Sequence, residues 1–172
     1  MMASVDGRIV VDRWPISPEG RRQYDLVHAS YEPDGWICGR VTMEPFAGAV
    51  RGDAEVAREH AEVAREHAGG APREDFRAAG GHDSFAFAVD ASGRLAWESN
   101  DIEGDHVVVI FSERVSDDYL AFLRERGVSY LLAGARDVDL PLALEKIGAR
   151  FGVRTLMLEG AGGSTAGCCA TG

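Results

Sequence analysis

The sequence lacks the features that define several classes of protein. It has no apolar run near the roughly 20 residues of a membrane-spanning helix, and its first residues do not form a basic region followed by an apolar one. Its 18 lysines and arginines are outnumbered by 28 aspartates and glutamates, which gives a formal net charge of -10. Nucleic acids and anionic membranes bind clustered positive charge. We therefore predict a small-molecule substrate, with no nucleic-acid partner and no membrane partner.

Cysteine is also scarce. The chain has three cysteines: Cys38 lies in an apolar run, while Cys168 and Cys169 are adjacent to each other near the end of the sequence. This spacing suits neither a disulfide framework nor a metal site. We therefore expect no bound metal, and we expect a reducing compartment, the cytoplasm.

The sequence does contain an alternation of strand and helix patterns, and its 172 residues fit a single domain, residues 1–172, with one core. Short apolar runs bounded by glycine predict strands, and runs that begin at a capping residue and end at glycine predict helices. The predicted strands are GWICG, HVVVIF, VSYLLAG and VRTLMLEG, and the predicted helices are SPEGRRQYDLVHASYE, SDDYLAFLRERG and DLPLALEKIGARFG. This alternation predicts an α/β domain with a mostly parallel central sheet flanked by helices.

Residues 47–82 interrupt the alternation. Residues 54–67 repeat the heptad AEVAREH, and Val56 and Val63 are the apolar anchors of the two copies. One apolar residue per heptad is too narrow a seam for a coiled coil. We predict a solvated helix inserted in a loop, without a catalytic role, followed by a linker rich in glycine, proline and alanine.

Three segments carry candidate functional residues. In ASVDGRI, Asp6 and Gly7 form a turn signal. In CGRVT, a glycine ends a strand, and Arg40 and Thr42 open the next turn with a guanidinium and a hydroxyl that suit a phosphate. In LEGAGGST, glycines let the backbone approach a pyrophosphate, and Glu159 lies at the end of a strand, where open α/β sheets bind ligands. Each segment alone is also compatible with a structural role, as a hairpin turn, a helix cap or a brace of the glycine-rich loop.

In this order, the three segments resemble the reductase domain of the bacterial bifunctional riboflavin-biosynthesis deaminase-reductase, which has the three-layer dihydrofolate reductase fold. The resemblance implies NADPH as the cofactor and a homodimer as the assembly. It implies hydride transfer to the opened ribose of a pyrimidine phosphate or a related metabolite, as in 5-amino-6-(5-phosphoribosylamino)uracil reductase.

The resemblance also assigns residues to roles. It implies that Glu159 and Asp6 are catalytic and face the substrate, and that Ser4 and His28 bind the substrate. The residues that it assigns to the cofactor are Arg40, Thr42, Trp14, Gly160, Gly162, Gly163, Ser164 and Thr165.

Two positions depart from the resembled family. His28 stands where the family has an arginine that faces the substrate phosphate, and histidine is a weaker, pH-dependent partner for phosphate than a bidentate arginine. An acidic segment of the family is reduced to Glu44 and Pro45. We therefore expect the substrate to be less well defined than the cofactor.

The last residues, 164–172, do not continue the pattern. In the family the glycine-rich loop leads into a helix and further strands, which residues 164–172 do not spell. We hypothesise that this tail is the out-of-frame product of a single-base change, and we expect a fold that is truncated at the carboxyl terminus.

Two functional classes stay open. One is an NADPH-dependent reductase, and the other is a catalytically impaired remnant or a nucleotide-binding protein with the same fold. A dinucleotide-binding domain of the G-x-G-x-x-G type is disfavoured, because no such motif follows an early strand.

Overall fold

The computed structural model of the chain describes residues 17–66 and 73–159. The helices are α1 (Pro18–Ala29), α2 (Arg40–Met43), α3 (Asp53–Glu66), α4 (Asp117–Glu125) and α5 (Leu140–Phe151), and a 3-10 turn covers Glu44–Phe46. The strands are β1 (Gly35–Gly39), β2 (Ala49–Val50), β3 (Phe85–Val89), β4 (Leu95–Ala96), β5 (Asp101–Ile102), β6 (Asp105–Phe111), β7 (Ser129–Leu132) and β8 (Leu156–Leu158). Within these ranges no helix is long and apolar enough to cross a membrane.

The central sheet is built from parallel strands in the order β7, β6, β3, β1, β8. Strand β5 forms an antiparallel hairpin with the start of β6, and β2 and β4 form a separate antiparallel ribbon. Because parallel strands are joined by crossovers, the sheet carries helices on its faces. The predicted α/β fold with a mostly parallel central sheet flanked by helices is confirmed.

Strand β6 divides the core into two halves. Val107 and Val109 are buried in the cluster on the α4 face, whereas Val108 and Ile110 are buried in the cluster on the α5 face. Side chains of a strand alternate between the two faces of its sheet, so an uninterrupted apolar run requires cover on both. The helix residues that provide this cover are Tyr119, Leu120 and Leu123 of α4, and Ala143, Ile147 and Phe151 of α5.

Local signals in the sequence set the ends of the main helices. Ser17 accepts a hydrogen bond of 3.0 Å from the N–H of Gly20 and caps α1, and Ser116 caps α4 in the same way. Helix α5 ends at Gly152, whose φ of 73° lies in the left-handed region that glycine adopts without strain. The three predicted helices are thus confirmed.

Other expectations differ from the structure. Strand β3, with the sequence FAFAV, was not predicted, yet it lies between β1 and β6 at the centre of the sheet. The apolar residues Leu26 and Val27 of α1 are 58% and 57% exposed, and no residue of α1 is buried. Helix α3 forms as predicted but is not solvated on all sides, because Val56 and Val63 are only 5% and 6% exposed.

Candidate functional site

The structure describes four of the predicted site residues: His28, Arg40, Thr42 and Glu159. It brings His28, Thr42 and Glu159 to one cavity. The other predicted residues lie outside the described residues: Ser4, Asp6, Trp14, Gly160, Gly162, Gly163, Ser164 and Thr165. The tail at 164–172 also lies outside them.

The cavity that contains Glu159 has a volume of about 360 Å³ and is called the small cavity below. It lies between α1, the β5–β6 turn and the residues that follow β1 and β8. Its lining residues include Tyr24, Asp25, His28, Trp36, Thr42, Phe46, Glu103, Asp105 and Glu159.

Glu159 occupies a defined place at the carboxyl end of β8. Its backbone N–H donates a hydrogen bond of 2.8 Å to the carbonyl oxygen of Ile37, which extends the pairing of β8 with β1 by one step. Its side-chain Oε1 accepts a hydrogen bond of 2.6 Å from the hydroxyl of Tyr24 and lies 3.3 Å from Nε2 of His28. The carboxylate is therefore held by two side chains that lie one helical turn apart on α1.

Two neighbouring groups keep their protons because of this carboxylate and because of burial. Burial, together with the hydrogen bond to Glu159, raises the pKa of the Tyr24 phenol above its ordinary value. Burial and the charge of Glu159 also raise the pKa of the Cys38 thiol to about 12. Cys38 is therefore a thiol at neutral pH and not an activated nucleophile, while Tyr24 remains a hydrogen-bond donor.

A second carboxylate of the small cavity is held in a similar way. The indole Nε1 of Trp36 donates a hydrogen bond of 2.7 Å to Oδ2 of Asp105. The Trp36 ring also meets Phe46 edge to face, with 6.3 Å between the ring centroids. Trp36 of β1 thus joins the start of β6 to the 3-10 turn that follows α2.

Arg40 is placed differently from the other predicted residues. It begins α2 directly after β1, and Gly39 stands at the N-cap position without a side-chain cap. Its guanidinium forms an ion pair with the carboxylate of Glu44, one turn further along the chain. The cation predicted to hold a cofactor phosphate therefore already has an anionic partner, and Arg40 does not line the small cavity.

A second cavity, with a volume of about 800 Å³, is called the large cavity below. It lies between α3 and the loops that follow β3, β6 and β7. Its lining residues include Asp53, Val56, His60, Val63, Ser92, Arg94, Glu113, Arg114 and Arg136. The carboxyl ends of parallel strands are the usual ligand-binding edge of an open α/β sheet.

The large cavity is rich in arginine. Arg94 pairs with Asp53 at 2.5 Å, whereas Arg114 and Arg136 are exposed and form no ion pair with any side chain that the structure describes. His60 Nε2 lies 3.1 Å from the carbonyl oxygen of Ser92. Burial lowers the pKa of His60, and the charge of Arg114 lowers it further. At neutral pH the free positive charge of this cavity is therefore carried by arginine.

One glycine is required in the loop after β7. Gly134 has a φ of 99°, and a Cβ built there would lie 2.2 Å from the carbonyl oxygen of Asp137. A side chain at this position would collide with backbone that cannot move away cheaply. The tight turn lets Gly134 accept a hydrogen bond of 2.9 Å from the N–H of Glu113, which ties the loops after β6 and β7 together.

Sequence reasoning missed Tyr24 and the arginines of the large cavity. Tyr24 and His28 are spaced i, i+4, which predicts one helix face, but their common partner lies far away in the sequence. Arg94, Arg114 and Arg136 each follow a strand within a few residues. Because parallel strands end at one edge, polar residues after several strands indicate a shared site. The sequence would have given this signal in full if β3 had been predicted as a strand.

Comparison with known proteins supports the fold. No family model matches the chain, and no curated protein matches it. Among solved structures, the chain is similar to a pyrimidine reductase-like protein from Corynebacterium diphtheriae, with a TM-score of 0.54 and 16% sequence identity. The match covers 92% of this chain, which spans 62% of that protein's chain. At this identity the likeness shows the fold, a mixed α/β domain that matches that of a pyrimidine reductase-like protein.

Proposed function

We propose that the chain is an NADPH-dependent reductase that transfers a hydride to a pyrimidine or a related small metabolite. The observation that carries this proposal is the pair of cavities along one sheet. The large cavity, with its arginines, lies at the carboxyl ends of β3, β6 and β7, and the small cavity reaches the carboxyl end of β8 at Glu159. A reductase needs two such sites, one for a charged dinucleotide and one for the substrate.

The order of the strands suits an extended cofactor. Four steps from β7 to β8, at about 4.8 Å each, span about 19 Å along the edge. The phosphate-bearing end of NADPH would lie in the large cavity against Arg114 and Arg136, since guanidinium groups bind phosphate through charge-assisted hydrogen bonds. Arg40, directly after β1, lies between the two cavities in the strand order, and Thr42 of the same turn lines the small cavity. Glycine residues follow Glu159 in the sequence, in the segment predicted to hold the pyrophosphate.

The small cavity supplies the groups that a hydride transfer needs on the substrate side. NADPH would supply the hydride. Glu159, held by Tyr24 and His28, is a fixed acceptor for a donor group of the substrate. An acceptor that is already oriented stabilises charge as it develops in the transition state without a cost of reorganisation.

The fold of the Corynebacterium protein supports a reductase over the other classes of α/β protein, because that protein carries the name pyrimidine reductase-like. The alternative is a nucleotide-binding protein of the same fold without turnover. His28 favours this alternative, because a histidine stands where the resembled family has an arginine that faces the substrate phosphate.

The test is a titration followed by a turnover assay. We expect NADPH fluorescence to change on binding, and NADPH to be oxidised when 5-amino-6-(5-phosphoribosylamino)uracil or its dephosphorylated form is added. Binding of NADPH without oxidation in either mixture would favour the binding protein. Absence of NADPH binding would contradict both functions.

A further inference from the structure

We propose that the small cavity selects an unphosphorylated substrate that carries a positively charged nitrogen, and that it rejects phosphate esters. This inference rests on the proposed function only for the assignment of the small cavity to the substrate. It departs from the pyrimidine phosphate that the resemblance implies. The chemistry of the lining residues carries it.

The charge of the lining is the first part of the argument. Carboxylates reach the cavity from three separate parts of the fold: Asp25 from α1, Glu103 and Asp105 from the β5–β6 hairpin, and Glu159 from the end of β8. Among the described residues that line the cavity, His28 is the single basic side chain. A phosphate is held by arginine, lysine or a set of backbone N–H groups, and here it would approach several carboxylates instead.

The way in which two of these carboxylates are held is the second part. Glu159 accepts its hydrogen bond from the neutral phenol of Tyr24, and Asp105 accepts its hydrogen bond from the neutral indole of Trp36. Neutral donors fix a carboxylate in place without cancelling its charge. Outside the cavity the arrangement is different, because Glu44 is paired with the guanidinium of Arg40. Among the described residues, these two carboxylates are thus held in place without a lysine or arginine partner, and their negative charge can attract a cationic ligand.

His28 does not reverse this balance. Its Nε2 lies 3.3 Å from Oε1 of Glu159, so a proton on this nitrogen is directed at the carboxylate. The charged and titratable side chains that line the same cavity around His28 are Tyr24, Asp25, Glu103, Asp105 and Glu159. The imidazole is therefore directed at one carboxylate, and three more carboxylates of the lining remain.

The aromatic residues of the lining are the third part. Tyr24, Trp36 and Phe46 line the cavity together with the carboxylates, and Trp36 and Phe46 contact each other. Aromatic rings beside carboxylates form sites for organic cations, because both attract positive charge and the rings need little desolvation. An aminated sugar or an iminium fits this lining, and a phosphate ester does not.

The two cavities also divide the ligand chemistry between them. The arginines that would accept phosphate line the large cavity, and the carboxylates line the small cavity. A molecule with a phosphate is therefore expected to bind at the large cavity. An experiment on the small cavity must report the place of binding as well as the affinity.

Uridine and two derivatives that differ from it in charge at the 5′ position provide the test. We would titrate the chain with 5′-amino-5′-deoxyuridine, uridine and uridine 5′-phosphate, and follow the NMR signals of the His28 imidazole and the Trp36 indole. We expect the amine to bind at these residues most tightly, uridine more weakly, and the phosphate at least about tenfold more weakly than the amine. Equal or tighter binding of the phosphate at His28 and Trp36 would overturn the inference. So would the absence of a response of these two residues to all three compounds.

A pair of variants tests the origin of the selectivity. Asp25→Asn combined with Glu103→Gln removes two charges from the cavity and leaves the hydrogen bonds of Glu159 and Asp105 in place. We expect the preference for the amine over the phosphate to fall about tenfold. Asp118→Asn combined with Glu125→Gln on α4 makes the same change of net charge away from the cavity and should alter the preference less than about twofold, because solvent and salt screen distant charges. An unchanged preference in the first variant, or an equal fall in the second, would contradict the proposal.

The three titrations of the unmodified chain do not depend on whether a variant folds, and they contain no NADPH. If NADPH does not bind but the three uridine compounds keep the expected order of affinity, the proposed reductase function is contradicted and the inferred ligand class is not. NADPH-dependent turnover of the phosphorylated pyrimidine, with the phosphate bound at His28 and Trp36, would keep the reductase and remove this inference.

Discussion

The phenol of Tyr24 donates a hydrogen bond of 2.6 Å to Oε1 of Glu159 and so joins α1 to the end of β8 across 135 positions of the sequence. His28, one turn further along α1, places Nε2 3.3 Å from the same oxygen. Because burial and Glu159 raise the pKa of the phenol, Tyr24 remains a donor at neutral pH. The orientation of Glu159 thus depends on a helix that buries none of its own residues.

Replacing the phenol tests this dependence. Tyr24→Phe keeps the ring and removes the donor, so Glu159 loses a hydrogen bond to a charged acceptor, which is worth about 1.5–3 kcal/mol. We expect kcat for hydride transfer to fall about tenfold and the Kd for NADPH to change less than about twofold. Steady-state kinetics and a fluorescence titration provide the two measurements.

Tyr31→Phe, at an exposed position just after α1, is the matched control and should change neither kcat nor the Kd for NADPH. A loss of NADPH affinity as large as the loss of kcat would instead make Tyr24 a general brace of the fold.

The buried histidine of β6 predicts a pH dependence of stability. The Nε2 atom of His106 lies 2.7 Å from Oγ of Ser129, and the ring stacks on His82 with 4.0 Å between centroids. Burial, and then the neighbouring His82, lowers the pKa of His106 from 6.5 to about 4. The unfolded chain therefore takes up a proton at a higher pH than the folded chain. Stability is fully present above pH 6.5 and falls as the pH drops from 6.5 toward 4, by about 2–3 kcal/mol.

Urea unfolding at a series of pH values between these limits measures the effect. His106→Gln should lower stability at neutral pH and flatten the pH dependence, because the titrating group is gone. His82→Gln keeps His106 and removes only the smaller cause of the pKa shift, so it should retain most of the slope. An unchanged slope in His106→Gln would assign the pH dependence to other groups.

The sequence predicted the elements whose signals are local. Ser17 and Ser116 begin helices by capping them, and the run of β6 is apolar without interruption because both of its faces are covered. Strand β3 could not be distinguished in this way. Its short run of alternating phenylalanine and alanine is compatible with a helix or a strand, and its conformation is settled by hydrogen bonds to β1 and β6, which lie on either side of it.

The same distinction between local signals and distant contacts applies to the candidate site. Glu159 was predicted from its position at a strand end and His28 from the resemblance to the reductase family, and the structure brings the two side chains together. Tyr24 gains its role from a contact that spans most of the chain, and the partner of Arg40 is a neighbour that the motif does not include. Residue types at a motif indicate what a site can do, but ion pairs formed on folding decide which of those groups remain free.

One measurement can distinguish between the two groups of arginines that could bind a phosphate of NADPH. The sequence motif assigns a phosphate of NADPH to Arg40, and the proposed cofactor position assigns the 2′-phosphate to Arg114 and Arg136. We expect Arg114→Ala to weaken NADPH about tenfold or more and to leave NADH within about twofold, since a charge-assisted hydrogen bond contributes about 1.5–3 kcal/mol. Arg40→Ala should lower the affinity for NADPH less, because the charge of Arg40 is paired with that of Glu44.

Titrations with NADPH and NADH distinguish the two assignments, and Arg22→Ala at an exposed position is the control. A selective loss of NADPH in Arg40→Ala but not in Arg114→Ala would return the 2′-phosphate to Arg40.

The last prediction concerns the packing of the repeated heptad of α3, because α3 lines one side of the large cavity. Oε2 of Glu59 accepts a hydrogen bond of 2.6 Å from Oγ of Ser116 at the start of α4, and Val56 and Val63 are buried. If the helix is docked in this way, Val56→Ala and Val63→Ala should each lower the free energy of unfolding by about 1–3 kcal/mol.

Val41→Ala is the matched control for these two variants, because Val41 is 68% exposed and its truncation should change stability by less than about 0.5 kcal/mol. Urea unfolding of the three variants under one condition gives the comparison. If all three lose the same small amount, α3 does not pack on the domain and the large cavity is open on that side. A loss confined to Val56→Ala and Val63→Ala, together with weaker NADPH binding, would show that the duplicated heptad, which the sequence indicated had no catalytic role, forms part of the cofactor site.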